Sequence, residues 1–106
     1  MELATAIREG ARRRPQYFGA MFGIIGQGEH KGELGSCSIG AAYEGLTGRA
    51  LEPAYGCNEH MRALADMFRA WPALAVLQTD MYWRNDHNKE SREQIADWVE
   101  SVTVKA

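Results

Sequence analysis

The stretch Ser91–Val102, reading Ser-Arg-Glu-Gln-Ile-Ala-Asp-Trp-Val-Glu-Ser-Val, limits the fold of this chain more than any other segment. Ser91 is placed to cap a helix, and Gln94 to reach back to it. That reciprocal capping box satisfies amide donors that a helix start leaves free. Ile95, Trp98, Val99 and Val102 then fall at i, i+3, i+4 and i+7, which makes one apolar stripe. Arg92, Glu93, Asp97 and Glu100 fall on the wet side. A stripe carrying Trp98 must bury, because an indole is among the largest apolar surfaces a side chain offers. The rest of the chain has to supply what it buries against.

The chain has 106 residues, which predicts one helical domain over 1–106. An apolar fraction of 45% argues against disorder of the whole chain. A net charge of −2 gives no global field to recruit nucleic acid or an anionic bilayer. The longest apolar run, around Tyr17 to Ile25, is broken by glycines and too short to span a membrane. The start, Met1-Glu2-Leu3-Ala4-Thr5-Ala6-Ile7, lacks the basic opening and continuous apolar stretch of a secretory signal. With Met1 as the natural start, a cytoplasmic location follows, and Cys37 and Cys57 are expected to be reduced.

Residues 2 to 13 read as a first helix with a narrow apolar face on Leu3 and Ile7, weakened by Gly10 and stopped by Pro15. Residues 17 to 25 are ambiguous between strand and short helix. The glycine-rich stretch 26 to 35 reads as an exposed loop or a hairpin tip. A second helix runs from Ser36 or Ser38, either of which suits a cap, to Gly48. Its Cys37, Gly40, Ala41 and Glu44 share a face whose small residues admit a close neighbour. Asn58 caps a third helix through about Ala70, with Met61, Leu64, Ala65, Phe68 and Trp71 in period. Pro72 turns the chain into a fourth helix, Ala73 to Trp83, and a polar joint at Asn85 to Lys89 leads to the last. The fold expected is all-α: a single compact domain of four or five short helices, with a small hairpin admitted within 17–35. The core expected is Leu3, Ile7, Phe18, Phe22, Ile39, Tyr43, Leu64, Phe68, Trp71, Leu77, Met81, Ile95, Trp98 and Val99.

The combination of Arg14-Pro15-Gln16, Cys37-Ser38-Ile39-Gly40-Ala41-Ala42, Trp71-Pro72-Ala73-Leu74, Asn85-Asp86 and Arg92-Glu93-Gln94-Ile95-Ala96-Asp97-Trp98 resembles a group of small uncharacterised bacterial and bacteriophage proteins. The resemblance spans most of the chain outside the glycine loop. It implies a compact helical protein encoded by a phage or prophage, and it carries over no catalytic residue. The group's joint reads His-Leu-Asn-Asp, where this chain has Trp83-Arg84-Asn85-Asp86 with His87 following.

Several residues have the chemistry for a site. A cysteine at a helix start is placed to ionise, and Gly35-Ser36-Cys37 loosely echoes papain-like proteases, which makes Cys37 with His87 or His60 a catalytic candidate. Cys57-x-x-His60 has ligand-like spacing, and Cys37, His30 or His87 would complete a zinc set, although structural sites usually bring two close pairs. Arg12-Arg13-Arg14 either opposes the helix dipole or forms a patch for an acidic partner or nucleic acid. A helix-turn-helix fails, because too little chain follows Val102 for a recognition helix. Asn85-Asp86-His87 reads as a helix joint or a contact cluster. No complete catalytic set results, and no cofactor is expected. The reading is a non-catalytic protein-interaction or regulatory module, self-association into a homodimer being its simplest form. Its contact residues would come from Arg12, Arg13, Arg14, Trp83, Asn85, Asp86 and His87, with Trp71, Tyr17 and Tyr82 as further aromatic candidates. The alternatives are a cysteine-dependent enzyme using Cys37, or a weak nucleic-acid binder using the basic end of the first helix.

Overall fold

The computed structural model describes residues 1–53 and 57–103, with Cys57 placed by its backbone. Among these residues it is a mostly helical domain of five α-helices and one small hairpin. The elements are α1 (Leu3–Ala11), β1 (Phe22–Ile24), β2 (Leu34–Ser36), α2 (Ser38–Thr47), α3 (Cys57–Ala70), α4 (Leu74–Tyr82), a π-helical turn (Trp83–His87) and α5 (Arg92–Thr103). No helix among the described residues is long and apolar enough to cross a membrane.

The centre is the pair α1 and α2, which cross at backbone contact. A Cβ on Gly10 would fall inside the carbonyl of Ala41, and one on Gly45 inside the carbonyl of Ala6. The small face of α2 therefore meets α1. Gly10, which weakens α1 as an isolated helix, is what allows the approach. Helix α2 starts one residue away from both expected caps: Cys37 is the N-cap, and its Sγ accepts from Gly40 N at 3.5 Å. It ends at Gly48, whose φ of 78° is the left-handed cap that glycine favours.

Residues 17 to 35 resolve into the hairpin. Strand β1 pairs antiparallel with β2, Phe22 opposite Ser36 and Ile24 opposite Leu34. On the other side of β2, Tyr17 N donates to Ser36 O, and Ser36 N donates to Pro15 O.

Helix α5 closes the core. Its capping box forms as its residue spacing predicts, with Ser91 N donating to Gln94 Oε1 at 2.8 Å and Gln94 N donating to Ser91 Oγ at 3.0 Å. Ile95 and Val99 are fully buried, Trp98 is half-buried against the core, and Val102 is exposed where the helix end outruns it. The acids on its outer face pair with α1: Arg8 donates to Asp97 at 2.7 Å, Glu100 at 3.1 Å and Glu93 at 3.3 Å.

Other core expectations shift. Phe18 is 39% exposed, because Phe22 fills the interior below the hairpin while Phe18 lies under Lys89, whose Nζ is 4.3 Å from the ring. Leu64, Phe68 and Leu77 are only partly buried. Helix α3 is rotated so that Ala63, Met67 and Trp71 face inward, and Trp71 Nε1 donates to Met1 O at 2.9 Å. The Asn58 cap expected for α3 gives way to a helix already running at Cys57, and its capping position lies outside the described residues.

Candidate functional site

The joint between α4 and α5 is the chain's least regular feature. Asn88 N donates to Trp83 O at 3.0 Å, a five-residue reach that widens the helix into a π turn. Such turns recur at functional sites. Widening also reduces the angular offset between residues four apart. Trp83 and His87 consequently stack, ring centroids 3.9 Å apart and planes 13° apart. Lys89 then adopts φ 57°, the left-handed region that a side-chain-bearing residue enters at a cost.

The turn divides its side chains between two faces. Asn85 points inward and is fully buried. Its Oδ1 accepts from Gln16 Nε2 at 2.7 Å, and its Nδ2 donates to Tyr17 O at 3.0 Å and Asp86 Oδ1 at 2.7 Å. Asn85 is therefore removed from the expected contact set, since it satisfies the backbone of the segment before β1. Trp83 points outward and is 56% exposed. Thr79, Tyr82, Trp83, Asp86 and His87 line an open recess of about 480 Å³. Burial pushes the Tyr82 hydroxyl up to about 12, so it stays protonated across the ordinary pH range.

The other candidates are dispersed. Cys37 is fully buried, and burial pushes its thiol up to about 11. A helix start ordinarily lowers a thiol pKa, but desolvation of the thiolate outweighs that here. Among the described residues no histidine bonds its sulfur, and the side chain has no exposed surface. Iodoacetamide at pH 8 is expected to label Cys37 on the order of 100-fold or more slowly in the fold than in urea, read by peptide mapping, because labelling must await opening. Equal rates would show that the thiol is open. The raised pKa has a signed consequence for stability. The buried neutral thiol stabilises fully below the unfolded pKa near 9, and that contribution is lost as pH climbs toward 11. Cys37→Ala should flatten this alkaline decline.

His60 Nε2 donates to Glu52 O at 3.1 Å, and its ring meets Phe22 edge-on. His30 is exposed and pairs with Glu33. Among the described residues no group of three His, Cys, Asp or Glu side chains gathers as a metal site would. The Cys57 side chain lies outside them.

Of the arginine triplet, only Arg14 is spent inside the molecule. Arg12 pairs with Glu9. Arg14 grips Glu44 with both arms, Nε to Oε1 at 2.7 Å and Nη2 to Oε2 at 2.8 Å. Glu44 is 2% exposed, so Arg14 is its counter-ion and is corrected from surface patch to internal partner. Arg13 is exposed, with no side-chain bond among the described residues.

Arg92, expected on the wet side of α5, lies inside. It is 8% exposed, because the start of α5 docks over the end of α1. Nη2 donates to Arg14 O at 2.7 Å and Ala11 O at 3.3 Å, and Nη1 donates to Ser36 Oγ at 2.9 Å and Ser36 O at 3.4 Å. Burial lowers its pKa, yet the guanidinium keeps its charge because its ordinary value is so high.

A comparison with protein-family models, with curated proteins and with solved structures finds no match to this chain.

Proposed function

We propose that this protein is a non-catalytic interaction module whose contact surface is the outer face of α4 and the π turn. One observation carries the reading: the outer side of α4 and the turn after it leaves two large apolar side chains in water, beside the exposed Thr79 and Asp80. Val76 is 80% exposed and Trp83 56% exposed, seven residues apart on one stripe, with the recess beside them. Large apolar side chains left in water, tryptophan above all, are the residues that anchor protein contacts. Of the contact residues the sequence suggests, Trp83, Asp86 and His87 lie on this surface, while Trp71 is buried elsewhere. Burial of Cys37 counts against the cysteine-enzyme reading. The pairing of Arg14 with the buried Glu44 counts against nucleic-acid binding by the basic end of α1. The resemblance to bacterial and bacteriophage proteins adds a phage or prophage origin to the proposal.

The test is Trp83→Ser. Its stability should stay within about 0.5 kcal/mol of the parent, as for a surface change. Proteins retained by the parent on a column should be lost from the variant. If the partner is a second copy, light scattering should show a concentration-dependent dimer that the variant lacks. A parent that stays monomeric and retains nothing the variant loses would remove the module reading.

A further inference from the structure

We infer that the recess beside Trp83 receives an arginine side chain of the partner protein, with Asp86 as its counter-ion; this rests on the interaction reading above. Asp86 is held rigidly. Its Oδ1 accepts from Gly19 N at 3.0 Å and from Asn85 Nδ2 at 2.7 Å. Its Oδ2 accepts no hydrogen bond among the described residues and is not fully buried, on a residue that lines the recess. Neither Asp86 nor the exposed Asp80 one turn before Trp83 forms an ion pair among the described residues.

The nearby cations are already engaged. Arg84 lies 4.2 Å from the Trp98 ring and bonds Glu90 at 3.2 Å, and Lys89 lies over Phe18. Two aromatic rings around this joint thus carry a cation from the chain itself. Trp83 carries none: His87 stacks on it, and the rest of the indole borders the recess. The surface is therefore aromatic, net acidic and short of one cation. A guanidinium suits it better than an ammonium, because it stacks flat on an indole while offering paired N–H donors to a carboxylate.

The probe is N-acetyl-arginine amide, titrated against the intact protein while the Trp83 indole N–H resonance is followed. The lysine and norleucine amides serve as comparisons. Arginine should shift the resonance saturably, with the lysine analogue at least threefold weaker and norleucine without saturable effect. Asp86→Asn keeps an oxygen for Gly19 and Asn85 but removes the charge, so it should fold normally and weaken the arginine probe at least fivefold. Arginine no better than norleucine, or unchanged binding to a folded D86N, overturns the inference. So does a partner that Trp83→Ser loses but D86N retains, and in that case the module reading stands.

Discussion

Replacing Gly10 by alanine is expected to lower the stability of this protein by about 3 kcal/mol, the upper part of the range for overpacked interiors. The sign is the informative part. On an open helix face, glycine to alanine gains about 1 kcal/mol from backbone entropy. Here the added methyl would occupy the Ala41 carbonyl, a backbone group that cannot rotate aside. Helix α1 must then lift from α2 along the whole crossing, opening contacts around Ala6, Ile7, Ala41 and Ala42, all fully buried. A chain of this size has a total stability of only about 5–15 kcal/mol, so Gly10→Val should leave it largely unfolded at room temperature. Thermal melting should fall by roughly 10–20 °C for the alanine variant. Gly45→Ala should behave alike, because its methyl would meet the Ala6 carbonyl. An unchanged or raised midpoint for both variants would mean that the two helices do not cross at this distance.

Arg92→Met is expected to cost about 3–5 kcal/mol, because it removes a buried charged donor from several neutral acceptors at once. Methionine fills most of the volume but donates nothing. The carbonyls of Ala11 and Arg14, together with Ser36 Oγ, would lose the side-chain donor that reaches them, while Ser36 O would keep Tyr17 N. Buried acceptors left unpaired cost about 1–3 kcal/mol each when water cannot enter. The cation also faces the negative end of α1, adding a favourable charge–dipole interaction. Arg92→Lys should fall between parent and methionine, since an ammonium keeps the charge but cannot span acceptors on both sides of a planar fork. Urea midpoints ordered parent, lysine, methionine would support this account. A methionine variant as stable as the parent would show that the network adds nothing net.

The legible parts of the fold were those whose determinants sit within a few residues of each other. The Ser91–Gln94 box, the Gly48 terminus and the stop before Pro15 depend on neighbours three or four positions apart, and all three form. Glu44 held an unused clue. A carboxylate on a face otherwise made of Cys37, Gly40 and Ala41 has to meet a cation if that face is packed, and Arg14 was available. The candidate site was half legible. Trp83 and His87 stood out by residue type, but their stacking arises from a π turn that helical periodicity does not predict. Asn85 looked equivalent to its polar neighbours until the turn directed it inward.

The residue pattern by itself determined a helical chain, its main breakpoints and the identity of its largest apolar stripes, because backbone preference and side-chain period are local quantities. Tertiary structure decided which polar side chains join the dry side and which apolar ones are left in water. Arg92 sits three residues before Ile95 and seven before Val99, on the buried side of its own helix, and its charge is tolerated there only because the end of α1 presents the carbonyls of Ala11 and Arg14 to it. Val76 is apolar by type and stands in water because no described part of this chain covers it. In both cases the deciding partner is set by how helices distant in sequence come together, and no local window contains that information.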